Sequence, residues 1–405
     1  MIKVGTDIVE ISRFSKMKDI ELFKKHTFTK REKEYFETCK NQYESIAGAF
    51  AAKEAFAKYL GSGFRGFGLR DIEVLHDELD KPYLVFMGKK LEADVSISHS
   101  GTNAVAQVSG EGQCIGGKNM EMFKSYHKFL PRRHCGMHKG DCGKVLVVAG
   151  SVGMSGAAVL STYSALRSGS GLVTAAIPKG IYEIVAKSIN EAMTIPLKET
   201  DGAISQDAIP DIEKALKAVD VCAIGPGLSR KADMPKIVEA VLLSGVPCVV
   251  DADALYALKD NMQILKNKKG VAVLTPHPME MSRLTGYTLE EIEKNREKVT
   301  TELAREYNVI VVLKGHKTVI ASPSGETHIN TTGNNGMATG GSGDVLTGII
   351  ASFIGQGVKP YEAAVLSVFL HGMAGDVAAE KKGEFSLIAG DIIEELPFVI
   401  KSLAN

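Results

Sequence analysis

The chain is 405 residues long, 44% hydrophobic and 24% charged, and its 48 basic and 48 acidic side chains cancel to a formal net charge of zero. Those figures fit a globular protein of two domains and give no support for nucleic-acid or membrane partners. Six cysteines are too sparse for a disulfide framework, no run of about 18 apolar residues marks a membrane span, and the opening MIKVGTDIVEISR lacks a signal-peptide core, so a reduced, cytoplasmic protein is expected.

Residues 1 to about 110 read as short strands and helices in mixed order, the pattern of an α+β domain. IKVGTDIVEI is a strand-like opening, and SIAGAFAAKEAFAKYLG has helical spacing with a stop at Gly61. DIEVLHDELDKPYLVF and DVSISHSGTNAVAQV each read as two strands about a polar turn. Asp7 interrupts an apolar strand, where a carboxylate is disfavoured unless it has a partner or a task. Glu54 lies in the helix, next to Lys53 and one turn before Lys58 on the same face. Two carboxylates from different elements can hold Mg2+. The bland alternative is an Asp–Lys surface pair beside a solvated helix face.

The stretches VGTDIVEISR, FTKREKEYF, AGAFAAKEAFAKYLGSG, DELDKPYLVF and VSISHSGTNAVAQV together resemble holo-acyl-carrier-protein synthase, the small phosphopantetheinyl transferase. The resemblance implies transfer of 4'-phosphopantetheine from coenzyme A to a serine of apo acyl carrier protein. It implies Mg2+ on Asp7 and Glu54, with both in catalytic roles. It further implies coenzyme A phosphates near Lys58 and His99, carrier protein near Arg13, and a homo-oligomer built on a trimer. One departure is visible: Asp80 stands before Lys81 and Pro82, where that family usually has glycine. Asp tolerates left-handed backbone better than most residues, so the turn is affected and the chemistry is not.

A glycine-containing and then basic stretch, GEGQCIGGKNMEMFKSYHKFLPRRH, separates the halves. The expected division is a domain at 1–118, a linker at 119–130 and a second domain at 131–405. Within RRHCGMHKGDC, His134, Cys135, His138 and Cys142 are zinc-ligand types, but their spacing fits no familiar pair-plus-pair arrangement. Arg132, Arg133, Lys139 and Lys144 either border a phosphate-rich ligand or are simply solvated.

From about 144 the grain changes. KVLVVAG, LVTAAIP, VCAIGPG, PCVVDAD, VAVLTP and VIVVLKG are strand candidates without alternation, separated by helical stretches such as 289–307 and 361–381. That pattern predicts an α/β layered fold with a largely parallel central sheet covered on both faces. NTTGNNGMATGGSGDVLTG, residues 330–348, then packs six glycines around a single charge, Asp344. Gly340 to Gly343 lies between a strand candidate, THINTT, and an apolar helix. A glycine turn opening a helix offers unpaired N–H groups and the positive end of the helix dipole, which suits phosphate. A carboxylate there would repel that ligand, and it makes sense as the base that deprotonates an attacking hydroxyl. A helix-capping aspartate is the bland alternative.

The ordered stretches HKGDCGKVLVVAGS, SGAAVL, SGSGLV, GPGL, DADAL, LTPHPMEMSRL, VVLKGHKTVI, GNNGMATGGSGDVLTGIIA and LHGMAGDVAA resemble the ribokinase-like superfamily, and within it the ADP- or ATP-dependent NAD(P)H-hydrate dehydratases. That resemblance implies repair of hydrated NADH or NADPH: phosphorylation of the ring hydroxyl by ADP or ATP, then loss of phosphate. It implies Asp344 as base and Gly341 to Gly343 around the transferring phosphoryl group. Lys314, Gly315, His316, Lys317 and Thr318 would hold the nucleotide with Gly343, and Ala157, Gly227 and His277 would meet the hydrated cofactor. No stretch resembles the epimerase domain often joined to such enzymes, so a separate protein is expected to handle the other epimer. The rivals are a sugar or vitamin-alcohol kinase of the same superfamily, and a non-catalytic nucleotide sensor.

Overall fold

The computed structural model describes residues 2–60, 67–86, 89–91, 93–111, 125–231 and 233–404. The expected stop at Gly61, Cys114 and the first part of the expected linker, 119–124, lie outside them. The chain divides into two compact units, Met1–Ser125 and Tyr126–Asn405.

In the first unit, β1 (Ile2–Glu10), β6 (Asn103–Glu111) and β5 (Asp94–Ser100) form an antiparallel sheet in that order, and β2 (Ile72–His76), β3 (Pro82–Phe86) and β4 (Lys89–Lys90) form a second. The helix Gln42–Leu60 lies across β1, and Gly5 permits the close approach. A Cβ at Gly5 would stand 2.1 Å from the Ala55 carbonyl oxygen and 2.3 Å from the Tyr59 nitrogen. Phe14, Phe28, Phe36 and Phe56 fill the core between this helix, the short helices Ile20–Thr27 and Lys30–Thr38, and the sheets. Asp80 takes the left-handed conformation expected of it, φ 59°. The neighbouring Asp77 carboxylate accepts from the Leu79 and Lys81 amides and closes the turn.

The second unit is built on nine strands: β7 (Lys144–Val148), β8 (Leu172–Pro178), β9 (Met193–Leu197), β12 (Val221–Ile224), β13 (Cys248–Val250), β14 (Ala272–Leu274), β15 (Ile310–Leu313), β16 (Val319–Ala321) and β17 (Thr327–Ile329), with β10 (Glu199–Thr200) and β11 (Ala203–Ile204) as a small separate ribbon. Their order is 17-16-15-14-13-12-7-8-9, and all neighbours from β15 to β9 pair in parallel. Only the β15–β16 and β16–β17 pairings are antiparallel, so β16 alone is reversed. Runs such as Val221–Ile224 and Ile310–Leu313 are buried at every position, as strands covered on both faces must be. The registers Val148↔Ile224, Ile224↔Val250 and Val250↔Leu274 align four strand ends, so the residues that follow them converge on one edge.

Three differences from the expected elements stand out. The stretch 289–307 is two helices, Leu289–Lys294 and Arg296–Tyr307, because Asn295 leaves helical geometry at φ −130°. β9 and β16 stand where no strand was expected. Tyr126, inside the expected linker, is buried in the second unit, stacked 3.9 Å from Phe369 and hydrogen-bonded to His328 at 2.8 Å. The helix Pro360–Lys382 is long and apolar enough to cross a bilayer by length and composition, but most of it is buried within the fold.

Candidate active sites

In the second unit the aligned strand ends carry the chemistry. Asp251, directly after β13, is 1% exposed and anchors three elements. Its Oδ1 accepts from Lys314 Nζ at 2.6 Å and Thr275 Oγ1 at 2.7 Å, and its Oδ2 accepts from Thr347 Oγ1 at 2.8 Å. Thr347 belongs to the helix Ser342–Gly355, so the glycine-opened helix is tied to the end of β13. Gly225, at φ 131°, makes room for this: a Cβ there would meet the Asp251 carbonyl oxygen at 1.8 Å.

Gly341 is the N-cap of that helix at φ 89°, a conformation that favours glycine. Among the described residues, the N–H groups of Gly343 and Asp344 make no hydrogen bond, as the first turn of a helix predicts. A Cβ on Gly343 would come within 3.3 Å of Lys314 Nζ, which places the lysine against the helix N-terminus. Buried His371 donates from Nε2 to the Ser342 carbonyl at 3.0 Å and holds the turn. Burial pushes its imidazole down to about 4, so it stays neutral.

Asp344 occupies the first turn with no hydrogen-bond partner among the described residues. Burial, then the Asp251 charge, pushes its carboxyl up to about 7, against the pull of Lys314. Burial opposes the charge on Lys314, but Asp251, Glu280 and Asp344 outweigh it and raise its pKa, so the lysine stays an ammonium. The site thus joins a fixed cation to an aspartate poised between its two protonation states. That combination suits proton abstraction next to a phosphate.

The other expected residues ring this pair. Gly227, at φ 62°, packs on Ala157, with the Ala157 Cβ 2.9 Å from where its own would lie. His277 caps the helix Pro278–Thr285: its Nδ1 accepts from the Met279 and Glu280 amides at 3.1 and 3.2 Å, leaving the proton on Nε2. Burial and then Lys314 lower its pKa. Gly315, His316 and Lys317 form an exposed turn after β15, with Lys317 left-handed at φ 55°, and Thr318 Oγ1 closes it on the Gly315 carbonyl at 3.0 Å. Arg296 fixes the strand end beneath by donating to the Leu313 and Lys314 carbonyls, each at 2.9 Å. Asp251 and Glu280 were not singled out from the sequence. A carboxylate ending a buried strand was the available signal for Asp251.

In the first unit Asp7 accepts from Lys58 Nζ at 2.7 Å, the Asp–Lys pair of the bland alternative, and this bond ties β1 to the long helix. Burial raises the Glu54 pKa, and the Asp7 charge adds to it, while Lys58 and Arg13 oppose. Arg13 lies over the Phe50 ring at 5.9 Å. His99 faces another part of the helix: its Nε2 lies 2.9 Å from the Glu44 carbonyl and a Cβ on Gly48 would meet it at 2.9 Å. Lys58 is therefore roughly 15 Å further along the helix than Gly48, at 1.5 Å per residue. Lys53, adjacent to Glu54 in sequence, points away into the core. It forms a fully buried pair with Glu32 at 2.9 Å and donates to the Thr27, Leu69 and Ile72 carbonyls.

The cysteine and histidine stretch does not assemble a metal cage. His138 Nδ1 lies 3.2 Å from Asp141 Oδ2, His134 turns to the Cys135 carbonyl, and no group of three or more His, Cys, Asp or Glu side chains gathers for a metal among the described residues.

Comparison with known proteins adds a family context. Residues 145–398 match the family model of the NAD(P)H-hydrate dehydratases, and residues 3–109 match that of the 4'-phosphopantetheinyl transferase superfamily. The chain is 50% identical over 276 residues, 68% of its length, to the bifunctional NAD(P)H-hydrate repair enzyme Nnr of Moorella thermoacetica, of which 52% is covered. It spans about half the length of the bifunctional relatives it matches. It is 34% identical to the ADP-dependent (S)-NAD(P)H-hydrate dehydratase of Bacillus subtilis, with 67% of this chain and 94% of the relative covered. A crystal structure of the ADP/ATP-dependent NAD(P)H-hydrate dehydratase from Bacillus subtilis, co-crystallised with ATP and Mg2+, is similar with a TM-score of 0.61, at 32% identity over 69% of this chain and 97% of that one.

Proposed function

We propose, because this chain belongs to the NAD(P)H-hydrate dehydratase family, that its second unit returns hydrated NADH or NADPH to the intact cofactor at the expense of ADP or ATP. The observation that carries this is Asp344, held near neutrality in its titration beside a charged Lys314 at a glycine-opened helix N-terminus. In the reaction, Asp344 takes the proton from the hydroxyl on the hydrated ring as that oxygen attacks the terminal phosphorus, whose bond to the bridging oxygen breaks to release AMP from ADP or ADP from ATP. The free N–H groups of Gly343 and Asp344 and the Lys314 ammonium stabilise charge on the moving phosphoryl group. Phosphate is then a far better leaving group than hydroxide: the ring nitrogen lone pair expels it, and loss of a proton from the adjacent ring carbon restores the double bond. The turn from Gly315 to Thr318 lies beside Lys314 and supplies backbone to the nucleotide. Ala157, Gly227 and His277 face the hydrated ring. Incubating hydrated NADH with the protein and either ADP or ATP should restore the NADH absorbance. No recovery with either nucleotide would leave the kinase or sensor reading in its place.

For the first unit we propose phosphopantetheinyl transfer from coenzyme A to apo acyl carrier protein. Asp7 and Glu54 offer two oxygen ligands, the Asp7 charge adding to the burial that raises the Glu54 pKa, and such a donor set suits a hard divalent cation. Mg2+ held there would neutralise the pyrophosphate of coenzyme A, while Lys58 and His99 bind its phosphates and Arg13 meets the acidic carrier protein. Asp7→Ala or Glu54→Ala should lower Mg2+-dependent mass gain of apo carrier protein by about 10²-fold, since one carboxylate holds the ion poorly against water. NADH recovery should be unchanged in both variants. Transfer at the normal rate in either one would remove the metal role from that residue.

A further inference from the structure

The second unit contains a cavity of about 670 Å³ away from Asp344, lined in part by Lys128, Arg132, Arg133, Arg167 and Lys401. No carboxylate lines it, and none of the five cations is in an ion pair among the described residues. Elsewhere on the same C-terminal helix, acids are matched: Glu395 pairs with Lys381, and Asp391 with Lys382.

Three helices, Ser155–Arg167, Ser342–Gly355 and Ala389–Ala404, end at this cavity, and cations at helix C-termini compensate the macrodipole. That compensation accounts for part of the charge. Three C-termini supply roughly −1.5 elementary charges in all, and five cations exceed that by roughly three. Arg133 donates to the Gly169 carbonyl, and Arg167 to the Tyr163 hydroxyl at 2.9 Å, so these two are positioned by the fold. Arg132 and Lys401 are exposed and make no hydrogen bond among the described residues. Half-buried Leu130, Pro131, Pro397 and Ile400 add apolar surface to the cavity lining. The volume lies in the range of small-molecule sites, roughly 300–1,000 Å³.

We propose that this cavity binds a nucleotide bearing several phosphates, at a site distinct from the one around Asp344. The helix Ser342–Gly355 separates the two: Asp344 is in its first turn, while Phe353 near its other end lines the cavity, roughly 14 Å along the axis. The phosphates sit among the arginines and lysines and the base packs on the apolar surface. ADP or ATP from the second unit's reaction and coenzyme A from the first unit's share this chemistry.

The test is equilibrium dialysis of the full chain with labelled ADP and, separately, labelled coenzyme A, for the wild type and R132E/K401E. One of the two ligands should bind the wild type with one equivalent more than the variant retains. Affinity for that equivalent should fall by about 100-fold, roughly tenfold for each charge-assisted hydrogen bond to phosphate that the variant can no longer make. R132Q/K401Q should give a smaller loss, and both turnover rates at saturating substrate should be unaltered. Whichever ligand loses the equivalent identifies the source. An equal number of equivalents at equal affinity in wild type and R132E/K401E, for both ligands, overturns the proposal. This outcome is separable from the dehydratase reading, because nucleotide bound at Asp344 is retained in both proteins.

Discussion

Asp344→Asn should bind nucleotide at least as tightly as the wild type and lose about 10²–10⁴-fold in dehydration rate, the usual worth of a positioned general base. The substitution preserves size and hydrogen-bonding capacity while removing both the base and a charge that repels phosphate. With a carboxyl at about 7, wild-type kcat/KM should climb as pH rises through 7 and level off above it, and the variant should lack that limb. The same shift has a stability sign. A carboxyl whose folded pKa lies above its unfolded one favours the fold fully below the unfolded value, and that contribution fades as pH rises from about 4 to about 7. The amide of the variant cannot titrate, so its thermal midpoint should exceed the wild type's at pH 8 and approach it near pH 4. Near-normal NADH recovery by Asp344→Asn would make the aspartate a helix cap.

Lys53→Met should cost the first unit about 3–5 kcal/mol, the range seen when one partner of a buried ion pair is removed. Both side chains are fully buried, and the Glu32 carboxylate would keep only its hydrogen bonds from the Thr29 and Val74 amides. Three backbone carbonyls would lose their donor as well. Replacing both members, as Glu32→Leu with Lys53→Met, should recover much of the loss, because the desolvated charge is then gone. Urea unfolding followed through the transferase activity measures this. A cost under about 1 kcal/mol for Lys53→Met would mean that water reaches the pair.

The contrast between Lys53 and Asp344 shows where the sequence is legible. Asp344 directly follows Gly340, Gly341, Ser342 and Gly343, whose spacing already states a turn, a helix start and an acid, so its neighbourhood can be read locally. The buried strands were equally plain, since runs such as Val221–Ile224 lack the alternation of half-exposed strands. β16 is only three residues long and sits next to a sheet edge, so periodicity says little about it. Lys53 looked like a neighbour of Glu54 because both stand in one helix. Its partner is 21 residues away, and nothing in the pattern distinguishes a buried charge from a solvated one. Asp251 was hidden for the same reason: its partners Thr275, Lys314 and Thr347 come from three other segments.

That dispersal sets an order of events during synthesis. The link from Thr347 to Asp251 spans 96 residues, so the second site cannot exist until the chain past residue 347 is available. The first unit's last strand ends at Glu111 and can close long before. At about 5–20 residues per second, the ribosome needs roughly 12–50 s to cover the interval. Until its end, β7 and β12 lack the helix Ser342–Gly355 that packs against them, and such incompletely covered chains are prone to aggregate. Ribosome-bound chains halted near residue 330 should resist protease up to Glu111 and be cut beyond it, and equal protection of both units would remove this ordering.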